Sequence, residues 1–285
     1  MSSLQPRPGH RLLRCPLCRS GFAAAAGSLV CRNGHSFDLA REGYVNLLSG
    51  RRRRAAVGGD GLVQLCHRAE FLDAGHLDAV GATVVAHLED VGHVARHILD
   101  AGSGTGHHLA RIAARLHGTV TGLGLDISRD AARLAARRWP TLAFSVTDLW
   151  GAWPMHDATV DLVLSIFAPK NFGAMGRVLR PDGWLALAYP GPEHLIELRD
   201  RFNLLRQNEE SSGRYAGMTA RFIGPPSVAR LHRHAVLEPE MARAAILMGP
   251  NARHVDPAVL DIGTTPLGVT FDINLLLAAR TVRTS

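Results

Sequence analysis

The stretch that decides the fold is Ile98-Leu99-Asp100-Ala101-Gly102-Ser103-Gly104-Thr105-Gly106-His107. A hydrophobic run from Val94 to Leu99 ends in an acid, and three glycines follow at alternate positions. Beyond them Leu109, Ile112 and Leu116 fall on one helical face. The pattern reads as strand, tight glycine turn and helix, with a ligand expected where the backbone is bare. It overlaps with the dinucleotide-binding spacing G-x-G-x-x-G, but the third glycine comes one residue early and an acid closes the strand before the first.

Toward the C-terminus, strand and helix alternate. Residues 119–125 read as a second strand ending at Asp126, twenty residues past Gly106, where a ribose-binding acid is expected. Taken alone, Asp126 reads equally as a strand-end acid that caps a turn. Ser128 caps a helix over 129–138. Residues 142–146 give a third strand with Asp148 just past it, and 160–167 a fourth, nearly all apolar as buried parallel strands are. A helix over 172–179, a turn at Arg180-Pro181-Asp182-Gly183, a fifth strand over 184–189 and a helix from 193 to 207 follow. The Ser-, Gly- and Pro-containing stretch 208–226 reads as a mobile loop, and 230–237, 239–248 and 269–278 as strand, helix and strand. The fold class is α/β, a doubly wound sheet whose ligands sit outside the carboxyl ends of its strands.

Toward the N-terminus, 68–89 is helical in pattern, and residues 1–12 look like a loose tail. Between them lies Cys15-x2-Cys18-x12-Cys31-x3-His35. Two tight knuckles bring three thiolates and an imidazole to one point, the soft set that zinc prefers in a closed structural site. Some thirty residues cannot bury a core of their own, so a metal staple makes physical sense. Cys66 falls outside the spacing and reads as an ordinary thiol. The domain expectation is a zinc-binding module over 1–50, a basic linker and helical connector over 51–92, and the ligand-binding α/β domain over 93–285.

Hydrophobic residues make up 46% of the 285-residue chain, no apolar run reaches the ~18–20 residues of a membrane span, and no secretory h-region opens it. A membrane role is therefore not expected, and the expected location is the cytoplasm. Lys170 is the only lysine. The formal charge of +7 falls wholly within residues 1–60, which hold ten arginines, four of them consecutive at 51–54; the rest of the chain is neutral. A localised basic face is the footprint of a polyanion partner, while the plainer reading is an arm that only aids solubility.

The glycine turn, with its acid before the first glycine, resembles motif I of class I S-adenosylmethionine (SAM) methyltransferases. Longer strings resemble one family within that class, the RlmA-type 23S rRNA (guanine-N1)-methyltransferases. They are Cys15-Pro-Leu-Cys18, His35-Ser-Phe-Asp38, Arg41-Glu-Gly-Tyr-Val-Asn-Leu-Leu48, Phe71-Leu-Asp-Ala-Gly-His76, Phe167-Ala-Pro-Lys170, Arg180-Pro-Asp-Gly-Trp184 and Pro190-Gly-Pro-Glu-His194. The Arg/Ala-rich composition is similar to the actinomycete branch, which includes tylosin-resistance methyltransferases. The resemblance implies zinc at Cys15, Cys18, Cys31 and His35. It implies SAM at the glycine turn, through Asp100, Gly102, Gly104, Thr105, Gly106 and His107, with Asp126 near the ribose and Asp148 near the adenine. Further cofactor contacts are implied at His194 and at Leu77, where the branch has Tyr.

No catalytic base is assigned. Phe167, Pro169 and Lys170 are substrate-positioning candidates, although Phe167 and Trp184 read more simply as core, and the family's Ala-Pro-Cys is Ala-Pro-Lys here. The implied reaction is SAM-dependent methylation of guanine N1 in a 23S rRNA hairpin loop near the peptide exit tunnel, with macrolide resistance as its consequence. A homodimer is left open. The competing readings are a methyltransferase with another RNA or a non-RNA substrate, and a non-catalytic zinc-module RNA-binding protein.

Overall fold

A computed structural model describes residues 4–48, 59–205 and 211–281. The arginine run at 51–54 lies outside the described residues. Eight strands form one mixed sheet. In sheet order they are β10 (Ser227–Leu237), β11 (Leu267–Ala279), β9 (Leu179–Pro190), β8 (Val160–Ile166), β5 (His97–Ala101), β6 (Thr121–Asp126), β7 (Ala143–Val146) and β4 (Val45–Asn46). Strands β9 through β4 run parallel, and β11 and β10 add antiparallel at one edge. From β5 the chain builds outward through β6 and β7, then returns to lay β8 on the other side of β5. The strand order reverses between β5 and β8, which is where a doubly wound sheet opens a crevice.

Strand alternation sends neighbouring residues to opposite faces, so Ile98 joins one core cluster and Leu99 the other. The first face is covered by α1 (Leu62–Asp73), α2 (Asp78–Asp90), α3 (His107–Arg115), α4 (Arg129–Arg138) and the later helix α8 (Pro239–Leu247). A turn around Gly75, at φ +79°, divides α1 from α2 where the sequence suggests one helical stretch. The second face is covered by α5 (Phe172–Val178) and α7 (Ser211–Phe222), while α6 (Ile196–Arg201) is a short helix after β9.

On the second face, the layer over β5 and β6 is not a helix. It is the N-terminal region, where β1 (Phe22–Ala25), β2 (Ser28–Cys31) and β3 (Ser36–Asp38) form a small antiparallel sheet. Leu12, Leu13, Leu29, Leu39, Val45 and Leu47 share one core with Leu99, Leu123 and Trp153. The first residues are docked rather than loose. A 3-10 turn over Pro8–Leu12 lies so close to the sheet that a side chain at Gly9 would overlap the carbonyl of Gly122. Arg7 pins this turn by donating to the carbonyls of Leu142 (2.7 Å), Glu42 (2.6 Å) and Ala136 (3.0 Å).

The second departure is α7, which occupies much of the stretch expected to be loop. Its Tyr215, Ala216 and Met218 pack on the second core, while Gly213 and Gly217 face open space. Glycines on the solvent side hide the helical period without costing any packing. Among the described residues no helix is long and apolar enough to cross a membrane.

Candidate active site and metal centre

The donor atoms of Cys15, Cys18, Cys31 and His35 all lie within 4.8 Å of one another, the one such cluster among the described residues. His35 Nδ1 is 3.5 Å from Cys15 Sγ and 3.4 Å from Cys31 Sγ, and Cys18 Sγ is 3.6 Å from Cys31 Sγ. Those edges match a tetrahedron of bonds about 2.0–2.3 Å long, the zinc values for nitrogen and sulfur. The knuckles are local backbone devices. In the first, Arg19 N donates to Cys15 O (2.9 Å) with Arg19 at φ +62°; in the second, Gly34 N donates to Cys31 O (2.9 Å) with Gly34 at φ +77°. Hydrogen bonding to Ser20 draws the Cys18 thiol down to about 5, which favours the thiolate a metal needs. Cys66 is exposed and stands apart.

At the sheet reversal, the turn after β5 carries Gly102, Gly104 and Gly106 at φ +91°, +50° and +75°. The three are not equivalent. A side chain at Gly102 would overlap Ala168, and one at Gly106 would come 2.8 Å from the Phe144 ring and 2.9 Å from Trp139. At Gly104 the nearest atom is Arg68 Nη1 at 3.5 Å. Of the three, only Gly104 has room for a side chain, under Arg68; its neighbours are glycines because the protein packs against them. Ser103 Oγ and Thr105 Oγ1 are buried without a hydrogen-bond partner among the described residues, a deficit that a bound polar ligand would remove.

This turn forms one wall of a cavity of about 360 Å³. Leu77, Gly102, Gly104, Thr105, His107 and His194 all line it, as do Phe167 and Lys170. Gly106, Pro169, Asp100, Asp126 and Asp148 do not. Asp100 is buried beneath the turn, and burial, with the nearby charge of Asp126, pushes its carboxyl up to about 7. Asp126 accepts from Gly104 N through one oxygen and from Ser128 N through the other, both at 2.8 Å. Burial raises its pKa, and each oxygen retains a lone pair for a further donor. Asp148 lies with Arg14, Arg19 and Trp153 around a second cavity beside the metal knuckle.

His194 is buried and stacks on Phe167 with centroids 5.9 Å apart. Its Nδ1 accepts from Asp272 N (3.3 Å), and burial lowers its pKa to about 4, so the ring is neutral with its proton on Nε2. His107 sits between Asp73 (3.3 Å) and Asp78 (3.5 Å). Phe167 is held at φ +52°, a strained value for an aromatic residue, at the point where the cavity opens beyond β8.

Sequence reasoning missed the opposite wall. Arg68, Tyr189, Tyr215, Met248 and Asn251 close the cavity from α1, the end of β9, α7 and the turn after α8. Arg68 spans it, pairing with Asp60 and donating to Met248 O (2.5 Å). No local spacing signals these residues, because they meet only through the sheet.

A zinc-ribbon family model described as RlmA, N-terminal matches residues 13–55, and a methyltransferase-domain model matches residues 98–183. A Micromonospora griseorubida protein named as a 23S rRNA (guanine-N1)-methyltransferase is 42% identical over 270 residues, 87% of this chain and 89% of that one. The Streptomyces fradiae 23S rRNA (guanine(748)-N1)-methyltransferase is 35% identical over 273 residues, 92% of this chain and 96% of its own. Among solved structures, the Bacillus subtilis YcgJ protein shares the fold, with TM-score 0.50 and 14% identity over 72% of this chain and 99% of that one. With a zinc-ligand cluster and a bare glycine turn beside an open cavity, and with such identity over most of its length, the chain belongs to the 23S rRNA (guanine-N1)-methyltransferase family.

Proposed function

We propose that the protein transfers the methyl group of SAM to N1 of a guanine in 23S rRNA. The observation that carries this reading is that the zinc knuckle and the glycine-turn cavity, matched together in relatives over most of the chain, share one hydrophobic core. SAM fits the cavity by the bare face of Gly104 and the unpartnered hydroxyls of Ser103 and Thr105. Asp126 holds the turn from behind by accepting from Gly104 N, so its bearing on a bound ribose runs through the turn's backbone. When bound, SAM supplies an electrophilic methyl on a good leaving group; the protein's work is alignment, where proximity dominates. Neutral His194 stacked on Phe167 gives a flat apolar wall against which a base can lie. The N1 edge is hidden in a duplex, so the target is unpaired or flipped out, as a hairpin-loop nucleotide is.

The relative from Streptomyces fradiae is named for guanine 748, and the corresponding guanine is the target we infer here. Its site is the hairpin at the peptide exit tunnel, the compartment is the cytoplasm, and the consequence is resistance to tylosin-type macrolides. N1 methylation blocks base pairing, so primer extension on 23S rRNA from a host expressing the protein stops at that guanine. A read-through there, with label from SAM appearing on protein or a small molecule, overturns the reading.

RNA grip is assigned to the N-terminal 50 residues and the arginines at 51–54. Each phosphate contact on single-stranded RNA contributes about −0.7 to the slope of log affinity against log salt. Replacing the four arginines with Gln should flatten that slope by up to about 2–3 units, with SAM affinity unchanged. A filter-binding titration with parental slope reduces the run to a linker.

A further inference from the structure

Guanine N1 carries a proton that must leave before the nitrogen keeps a methyl, and nothing above accepts it. This question rests on the guanine-N1 reading. The groups that line the cavity and can bind a proton are few. The Arg68 guanidinium is paired with Asp60 and donates to Met248 O. His107 is buried between two aspartates, and His108 and His194 are pushed down to about 3 and 4 by burial, too weakly basic for the task. The Tyr189 and Tyr215 rings pack edge-on against each other. Asp100 and Asp126 lie behind the turn and do not reach the cavity lining.

Lys170 remains. It stands three residues past the strained Phe167, on the loop leaving β8, in the lining of the cavity that the glycine turn also borders. Its Nζ donates to the carbonyl of Ala168 (2.6 Å) and lies 5.0 Å from the centre of the Tyr215 ring. Tyr215 is in turn held edge-on by Tyr189 at 5.0 Å. The titratable groups around the amine are Tyr215 and Arg214 from α7, with Tyr189 of β9 behind the Tyr215 ring. Burial, with the like charge of Arg214, pulls the ammonium down to about 8.

We propose that Lys170 is the base that removes the guanine N1 proton. The neutral Nζ takes the N1–H proton; N1 keeps that electron pair and forms the bond to the methyl carbon. The carbon–sulfur bond breaks with its pair moving to sulfur, and Lys170, left as the ammonium, returns its proton to solvent. The base ends neutral and methylated, the sulfonium ends as a thioether, and charge balances on Lys170.

The chain's single lysine makes the test direct. Protein grown with 13Cε-lysine gives one side-chain resonance, and its titration midpoint is expected near pH 8. A resonance that stays protonated into the ordinary lysine range, about 10.4, overturns the proposal without any substitution. In single-turnover methylation of 23S rRNA, the parental rate should rise with pH and level off near the same midpoint. Lys170→Met should lower it by about 100-fold or more and remove that inflection, leaving a profile that follows the base's own ionisation. Lys170→Arg, which keeps the charge but cannot release a proton, should be equally slow; parental activity in it would make Lys170 a fixed cation and overturn the base role. SAM affinity by calorimetry should hold in both variants, which separates lost chemistry from lost folding. If parental protein forms no N1-methylguanine, the proposed function falls and this inference with it; if it does and both variants match it, only Lys170 is excluded.

Discussion

The ligands of the metal knuckle all lie between Cys15 and His35, whereas the cavity is lined by side chains from Arg68 to Asn251. In the knuckle, two backbone turns set four donors around one point, where a zinc ion would be held. In the cavity, the walls come from α1, the glycine turn, the ends of β8 and β9, α7 and the turn after α8, and they enclose about 360 Å³. A short-range device can be closed and specific on its own; an open site needs the whole sheet to hold its walls apart. The two differ also in what surrounds them. The knuckle's neighbours Leu12, Leu13, Leu39 and Val45 are core residues of the sheet, so the staple is structural for more than itself.

Breaking the knuckle should therefore give the largest effect. Structural zinc contributes on the order of 10 kcal/mol to the folding of isolated finger peptides. If only ~3 kcal/mol of that is felt by the shared core, melting falls by about 6–12 °C. Cys31→Ser, or chelation of the parental protein, should lower a single calorimetric transition. Two transitions, the upper one at the parental temperature, would show instead that the N-terminal region melts alone. Less than half an equivalent of zinc in native protein would remove the premise.

This contrast also explains what could be read in the sequence. The four metal donors were legible because three thiols and an imidazole at that spacing have few other uses. So were β5 to β9 and the turn between β5 and α3, because buried parallel strands and alternate glycines leave a local signature. The docking of the first residues was not, because Pro6, Pro8 and Gly9 resemble a tail until Gly122 is seen packed against Gly9. Helix α7 was hidden by its solvent-facing glycines, and with it Tyr215. Arg68 stood in a helical stretch with nothing to mark it, since its partner carbonyl at Met248 lies far along the chain.

A sharper division runs through the glycine turn itself. Gly104→Ala and Gly106→Ala both place an L residue in the left-handed region, costing about 1–2 kcal/mol each. Gly106→Ala also drives its methyl into Phe144 and Trp139, adding about 1–3 kcal/mol of overpacking. Gly104→Ala has room, but the methyl enters the cavity. Gly106→Ala should chiefly lower thermal stability. Gly104→Ala should keep most stability and weaken SAM binding by about tenfold or more, equivalent to ~1.4 kcal/mol. Calorimetry and thermal melts on the pair decide this; parental SAM affinity in Gly104→Ala means the ligand lies elsewhere.

The last test concerns the acid beneath the turn, and it distinguishes packing from ligand binding by pH alone. Asp100 is buried, and its carboxyl is pushed from the ordinary 3.8 up to about 7, by burial first and then by Asp126. The folded state thus holds this proton more tightly than the unfolded chain does. The stability that follows is complete below about 3.8, declines as pH rises, and is gone above about 7. Asp100→Asn cannot titrate, so its stability relative to the parent should climb through that window by up to about 1.4 kcal/mol per pH unit and then level off. Melting both proteins at intervals from pH 4 to 8 reads this difference directly. Asp126→Asn, which removes the second charge, should move the window downward. A difference that stays flat with pH would mean that Asp100 does not titrate in this range, and that the acid before the first glycine serves only to close the strand.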